Sequence, residues 1–314
     1  MREPVSRLVS ALTGKAELPP LLSAAVDRLQ SSSWYEVANR WSRLTPTGFP
    51  VELTTASWIQ GVQWTAEVAP PETPDTERLF LATTLLAANG QEPPPQLADG
   101  LASCQAGGEI RFGTWLGGRE APGVTPKLKL YAEVAENAAL PPELLPGRLV
   151  SALRRLPAGT RPRILGIQPA RERRELYVRL PAIDVVDLLP FLHTVGHPEA
   201  LAVLNRHLPD GIRRLAGRRL GLSAAWSEGE DDGDTIALAL FASARTLFPV
   251  SPTSGSGVHD PLASCVPTLH GVDGAQPGVR RGLVAMGLEP GRDELYISVG
   301  LVPAAEEQTE MVGG

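Results

Sequence analysis

The sequence of 314 residues predicts an α+β protein in which five helix-strand-strand units close into one ten-stranded antiparallel barrel, with helices outside and a polar lumen inside. Two observations carry that prediction. First, an alternating strand recurs as Lys129-Leu130-Tyr131-Ala132-Glu133-Val134, Glu175-Leu176-Tyr177-Val178-Arg179-Leu180, Thr235-Ile236-Ala237-Leu238-Ala239-Leu240 and Glu294-Leu295-Tyr296-Ile297-Ser298-Val299, with a less similar copy, Gln63-Trp64-Thr65-Ala66-Glu67-Val68. Second, the apolar spacing between these strands lengthens to three and four, the helical period.

The elements follow in order. A helical pattern over 18–41 precedes a first strand at 50–55 and its alternating partner at 63–68. The second unit has a helix over 73–89, a strand over 110–116, a turn at Gly117-Gly118 and the strand 129–134. The third has a helix over 142–156 and strands 163–168 and 175–180; the fourth has a helix over 184–208, interrupted at Gly196-His197-Pro198, then strands 220–226 and 235–240 joined by the acidic turn 228–233. The segment 249–278 is rich in Pro, Gly and Ser and holds at most a short helix at 262–269, before strands 282–288 and 294–299 joined by Glu289-Pro290-Gly291-Arg292.

Strict alternation divides the strand side chains between two faces. Leu130, Leu176, Ile236, Leu238, Leu295 and Ile297 are expected beneath helices; Lys129, Tyr131, Tyr177, Arg179 and Tyr296 are expected inward. Antiparallel strands that bury one greasy face under helices lose their edges by closing, so residues 1–303 read as one barrel domain and 304–314 as a flexible tail. Two separate α+β domains are the alternative; the equal spacing of the five units favours the barrel.

A net charge of -6 excludes a nucleic-acid binder that works by neutralising phosphates, and no Lys/Arg block suggests an anionic membrane. The expected partner is a small molecule or a peptide. Cys104 and Cys265 are the only cysteines, which suits a reducing cytoplasm. No apolar run is long enough to cross a bilayer, so the expectation is a soluble cytoplasmic protein. His193 and His197 have the spacing of a helical metal pair, but Gly196 and Pro198 break the helix there, and Glu230, Asp231, Asp232 and Asp234 read as a solvated hairpin turn rather than a magnesium site. No metal site is expected.

The segment Gly48-Phe49-Pro50-Val51-Glu52-Leu53 and the strand start Lys129-Leu130-Tyr131, within five such units, resemble the ABBA (prenyltransferase-barrel) family, which includes indole and cyanobactin-type peptide prenyltransferases. The resemblance implies the ABBA/PT barrel and a metal-independent transfer of an allylic group, dimethylallyl or longer, from its diphosphate to an aromatic small molecule or a peptide side chain. It implies Glu52 as the base, with Lys129, Tyr131, Arg173, Tyr177, Tyr296 and Arg111 holding the diphosphate or shielding the allylic cation. The allylic diphosphate is then a co-substrate, and no tightly bound cofactor is expected. Trp115 and Trp226 are candidates for stacking the acceptor. Three positions depart from the family pattern: Gln63 stands where an arginine is expected, Glu175 where a lysine is, and Ala237 where a tyrosine is. These departures thin the diphosphate site and keep open a non-catalytic binding or scaffold barrel, or a different reaction in the same lumen. The short polar stretch after the last strand favours an open end and a peptide or other bulky acceptor, with 249–278 as an alternative lid.

Overall fold

A computed structural model of the chain describes residues 1–15, 17–29, 42–45, 47–57, 61–208, 210–227, 236–248, 279–289 and 294–303. Its ten strands are β1 Val51–Ala56, β2 Val62–Glu67, β3 Thr114–Ala121, β4 Val124–Glu133, β5 Arg161–Gln168, β6 Arg173–Ile183, β7 Arg218–Ser227, β8 Ala237–Ser243, β9 Val279–Leu288 and β10 Leu295–Pro303. Consecutive strands pair antiparallel, and β1 pairs with β10 to close the barrel. The sheet therefore has no free edge.

Helices α1 (Arg2–Thr13) and α2 (Pro20–Arg28) precede the first hairpin, and α3 (Arg78–Ala88), α4 (Pro95–Ala106), α5 (Gly147–Leu153), α6 (Leu189–Thr194), α7 (Ala200–His207), α8 (Gly211–Leu215) and α9 (Ala244–Leu247) connect successive hairpins. The core is the layer between them and the barrel. Leu53, Trp64, Leu116, Leu130, Leu176, Leu238 and Ile297 all lie in it, buried. Each such leucine contributes roughly 1.5–3 kcal/mol relative to exposure, so the helix-side face supplies the stability and leaves the lumen face open to other chemistry. One carboxylate ties the layers together. Glu120 of β3 accepts the N–H groups of Leu21 and Leu22 at 2.8 and 2.9 Å and the Trp64 indole N–H at 2.9 Å. It thereby caps the N-terminus of α2, where unpaired donors and the helix dipole favour a negative charge.

The structure differs from the sequence expectation in places. Strand β3 starts at Thr114 because the Glu133 carboxylate accepts the successive N–H groups of Arg111, Phe112 and Gly113 at 2.7, 2.7 and 3.0 Å, which holds 111–113 as a loop. Gly117 and Gly118 lie within β3, and the turn falls at Pro122-Gly123, where Gly123 has φ 73°. Gly117 has a packing reason instead: a Cβ there would come within 2.8 Å of the Tyr131 ring. Helix α4 was not expected; Pro94-Pro95 followed by Leu97, Leu101 and Cys104 on one face was its signal. The break in 184–208 is present, with Gly196 at φ 88° between α6 and α7. The acidic turn, the helix at 262–269, the tail 304–314 and most of 18–41 beyond α2 lie outside the described residues.

Candidate active site

The lumen face is built by the residues that alternate with the core layer. Row by row, Glu52 of β1 faces Thr65 of β2, Thr65 faces Gly117 of β3, and Gly117 faces Lys129 of β4. Glu52 and Lys129 are thus three strand spacings apart, about 14 Å around the wall. Small residues, Thr65 and Gly117, fill the wall between them.

On one side of this row sits a compact polar cluster. The Lys129 ammonium donates to the Glu175 carboxylate at very short range and to the Tyr177 hydroxyl at 3.0 Å. The same ammonium stands 4.6 Å from the Tyr131 ring centre and 5.2 Å from that of Tyr177, both within cation–π range. Tyr131 and Tyr177 meet at 5.9 Å between centroids, and Phe241 of β8 follows at 5.7 Å from Tyr177. Tyr296 belongs to the same field: burial above all, then the Glu175 and Glu289 charges, raise its phenol above the usual range. Burial also raises Tyr177, with Glu175 and Tyr131 adding to the shift.

Burial alone would neutralise Glu175, but the adjacent Lys129 charge, with hydrogen bonds from Lys129 and Ser223, holds its carboxyl below the ordinary value. Burial likewise opposes the charge on Lys129, and Glu175 more than restores it. Both are ionised at neutral pH, and they cancel. Arg173, two residues toward the hairpin tip from Glu175, pairs with Glu289 at 3.4 Å.

Glu52 has the opposite environment. Among the described residues it has no hydrogen-bond or ion-pair partner, and burial pushes its carboxyl up to about 8. It lies over Gly300 and Gly282; a Cβ at Gly300 would come 1.6 Å from a Glu52 oxygen, so the glycine makes the room that the carboxyl occupies. Gly287 does the same for Tyr296, whose ring a Cβ would meet at 1.8 Å.

The end of the lumen away from the hairpin tips carries a group the sequence reading missed. Glu67, at the end of β2, accepts Ser42 Oγ at 2.5 Å, Trp115 Nε1 at 3.0 Å and Arg78 Nη1 at 3.1 Å. Burial pushes it up to about 7 in spite of these partners. Phe112 stacks on Trp115 with centroids 3.9 Å apart and planes at 14°. Trp115 therefore faces the lumen with its N–H and one ring face already engaged. The available signal was alternation: Glu67 is an acidic residue on the same face as Gln63 and Thr65.

The expected site residues divide. Lys129, Tyr131, Tyr177, Arg173 and Tyr296 come together on one wall of the lumen, and Glu52 stands across a short run of small residues from them. Arg111 does not join them. Because Glu133 holds its backbone in the loop before β3, its exposed side chain pairs with Glu136 at 3.2 Å. Trp226 is on the other face: it sits opposite Arg174 in register and packs in the helix-side core. Arg179 keeps the lumen parity but is exposed near the end of the barrel away from the tips, opposite Gly221. His197 is buried against the Ile236 carbonyl at 2.6 Å, whereas His193 is exposed.

Solved structures share this architecture over nearly the whole chain. A 6-dimethylallyl tryptophan synthase superposes with a TM-score of 0.70 at 16% identity, covering 96% of this chain and 96% of that one. The 6-dimethylallyltryptophan synthase of Micromonospora olivasterospora, solved in complex with DMASPP and Trp, gives 0.70 at 17% identity over 96% and 95% of the two chains. Prenyltransferase PriB, in a ternary complex with L-tryptophan and dimethylallyl thiolodiphosphate, gives 0.67 at 15% identity over 96% and 95%. No protein-family model matches the chain, and no curated protein matches it in sequence. The chain has the ABBA prenyltransferase barrel fold.

Proposed function

We propose that the chain is a metal-independent prenyltransferase that moves an allylic group from its diphosphate to an aromatic ring, free or within a peptide. The observation that carries this reading is one lumen face holding a carboxyl without a partner among the described residues, Glu52, in the same row as a cation set among tyrosines, Lys129 with Tyr131 and Tyr177. Prenyltransferase PriB, solved with L-tryptophan and dimethylallyl thiolodiphosphate, supports it by fold.

The chemistry then divides among the residues. The C1–O bond of the allylic diphosphate breaks, its electron pair leaving on the diphosphate, which fixed Lys and Arg charges stabilise without a metal. Tyrosine faces shield the allylic cation from water and offer it the negative side of their rings. An aromatic carbon of the acceptor forms the new C–C bond, and the Glu52 carboxylate removes the proton that the ring must lose. With its carboxyl near 8, Glu52 works as a base only in the fraction that is ionised, so the rate rises with pH through that value.

A second reading has its own observation. Glu175 cancels the Lys129 charge that a diphosphate would need, as suits a non-catalytic binding barrel. A transfer assay decides between them: purified protein, dimethylallyl diphosphate, and tryptophan or a tryptophan-containing peptide, with EDTA present. Prenylated product that disappears in Glu52→Gln supports the transferase. Absence of product with every acceptor moves the assignment to the binding barrel, and loss of product on chelation removes metal independence.

A further inference from the structure

The end of the barrel away from the hairpin tips is covered unevenly. On its β1–β3 side Glu67, Phe112 and Trp115 are all buried. On its β5–β7 side the last positions are open: Arg161 stands directly opposite Arg179 in register, Ala182 stands opposite Arg219, and all four are exposed, as is Arg218. Like charges facing each other across a strand pair repel, so these cations favour negative partners. Arg161 has one, because Glu136 takes both it and Arg111. Arg179, Arg218 and Arg219 have none among the described residues. The carboxylates at this end are already engaged. Glu133 accepts the backbone donors of 111–113 and lies 3.8 Å from Arg163, and Asp184 and Asp187 cap the turn after β6. Further along the β6–β7 connection, Glu199 lies 3.8 Å from His197 and Asp210 pairs with Arg213 at 3.2 Å. Glu143 is exposed, where water and salt screen it.

In a chain of net charge -6, three arginines without partners at one opening are a local reversal of sign. They also stand at a definite depth. Along β6, Arg179 lies two residues outward of Tyr177, about 7 Å at the rise of a strand. An aromatic ring seated against Tyr131 and Tyr177 therefore brings residues about two to four positions away in an extended peptide level with these arginines. Resting on the transferase reading, we infer that the acceptor is a peptide with acidic side chains flanking its reacting aromatic ring, and that Arg179, Arg218 and Arg219 bind those carboxylates outside the lumen. The buried β1–β3 side closes this end, and the exposed β5–β7 side is where the peptide leaves it.

Fluorescence anisotropy tests this without turnover. Two labelled peptides share a central tryptophan and differ only at the positions two and four residues to either side of it, with glutamate in one and glutamine in the other. The full chain is expected to bind the glutamate peptide about five- to tenfold more tightly at low salt, a difference that shrinks at about 0.5 M salt. Arg179→Gln with Arg219→Gln should bring the two peptides within about twofold of each other. Affinity for the glutamine peptide and the melting temperature should not change, because both arginines are exposed. Lys127→Gln with Arg171→Gln removes two charges at the hairpin tips instead and should leave the preference intact. Three results overturn the inference: equal affinities for the unaltered chain, a preference that survives Arg179→Gln with Arg219→Gln, or one that is lost with Lys127→Gln and Arg171→Gln. Binding of neither peptide overturns it as well, and product formed from free tryptophan then leaves the transferase reading standing. If the acidic preference depends on Arg179 and Arg219 but no product forms with any acceptor, the surface stands as a peptide-binding site and the transferase reading alone falls.

Discussion

Glu52 and Glu175 are the same residue type on the same face of the same barrel, and their surroundings drive them in opposite directions. Glu52 has no partner among the described residues and is pushed to about 8, so most of it is neutral at pH 7. Glu175 is similarly enclosed, yet Lys129 holds it below the ordinary carboxyl value. The first is a group that can take a proton during a reaction; the second is spent on neutralising a neighbour. What separates a carboxyl held neutral from one held ionised here is the charged partner, not the degree of burial.

The largest effect is expected where the contrast assigns chemistry. On the transferase reading proposed above, Glu52→Gln keeps the shape and removes the proposed base, so turnover should fall by roughly a hundredfold or more while the donor KM stays unchanged. Steady-state kinetics check this; a variant with wild-type turnover would move the base elsewhere, with Glu67 the next carboxyl to test. Glu175→Gln probes the other side of the comparison. It leaves Lys129 charged and enclosed without its counter-charge, so stability should drop by about 1–3 kcal/mol, a value reduced from that of fully buried pairs because both side chains keep some solvent contact. Urea unfolding measures it. Donor affinity should improve in the same variant, since Lys129 is released, and unchanged stability would mean that the pair contributes nothing to the folded state.

The two carboxyls also predict opposite slopes of stability against pH. Folded Glu52 holds its proton up to about 8 while the unfolded chain loses it near 4.5, so its contribution is complete below the unfolded pKa and is lost as pH rises toward 8. Glu175 is lowered, so its contribution is present above the unfolded pKa and is lost as pH falls through the folded value. Unfolding free energies should therefore show Glu52→Gln gaining on the wild type as pH rises from about 4.5 to about 8, and Glu175→Gln gaining as pH falls below about 4.5. Parallel curves for the two variants would erase the distinction drawn above.

The barrel was legible because alternation and helical spacing are written in every unit, and because burying one face forces Leu130, Leu176, Leu238 and Ile297 beneath helices whatever the loops do. The site was legible only as far as parity goes. Parity placed Lys129, Tyr131, Tyr177 and Tyr296 inward, but it could not show that Glu133 would take the backbone donors of 111–113 and move Arg111 out of the wall; Trp226, by contrast, shares its face with Leu220, Leu222 and Ala224, so alternation along β7 already carried the signal that it packs under helices. Register and local carboxylate caps are long-range facts: Glu133 is 22 residues from Arg111, and Glu120 is 99 from Leu21. The Lys129 to Glu175 pairing is likewise a long-range fact: the two residues are 46 apart in the chain, and only the packing of their strands brings them together.

The smallest expected effect sharpens the comparison at the level of one hydroxyl. Tyr177 accepts from Lys129 at 3.0 Å and hydrogen-bonds Glu175, so its oxygen links the two members of the neutral pair. Its ring separately packs between Tyr131 and Phe241. Tyr177→Phe keeps the ring and its quadrupole and removes the link, which for one net hydrogen bond costs about 1 kcal/mol. The urea midpoint should shift by that amount with an unchanged slope, and turnover should fall by less than about tenfold, because the aromatic shield remains. A stability loss as large as that of Glu175→Gln would mean that the hydroxyl, and not the charge pair, orders this wall. The contrast between Glu52 and Glu175 would then come from a hydrogen-bonded network that Glu52 lacks rather than from a single counter-ion.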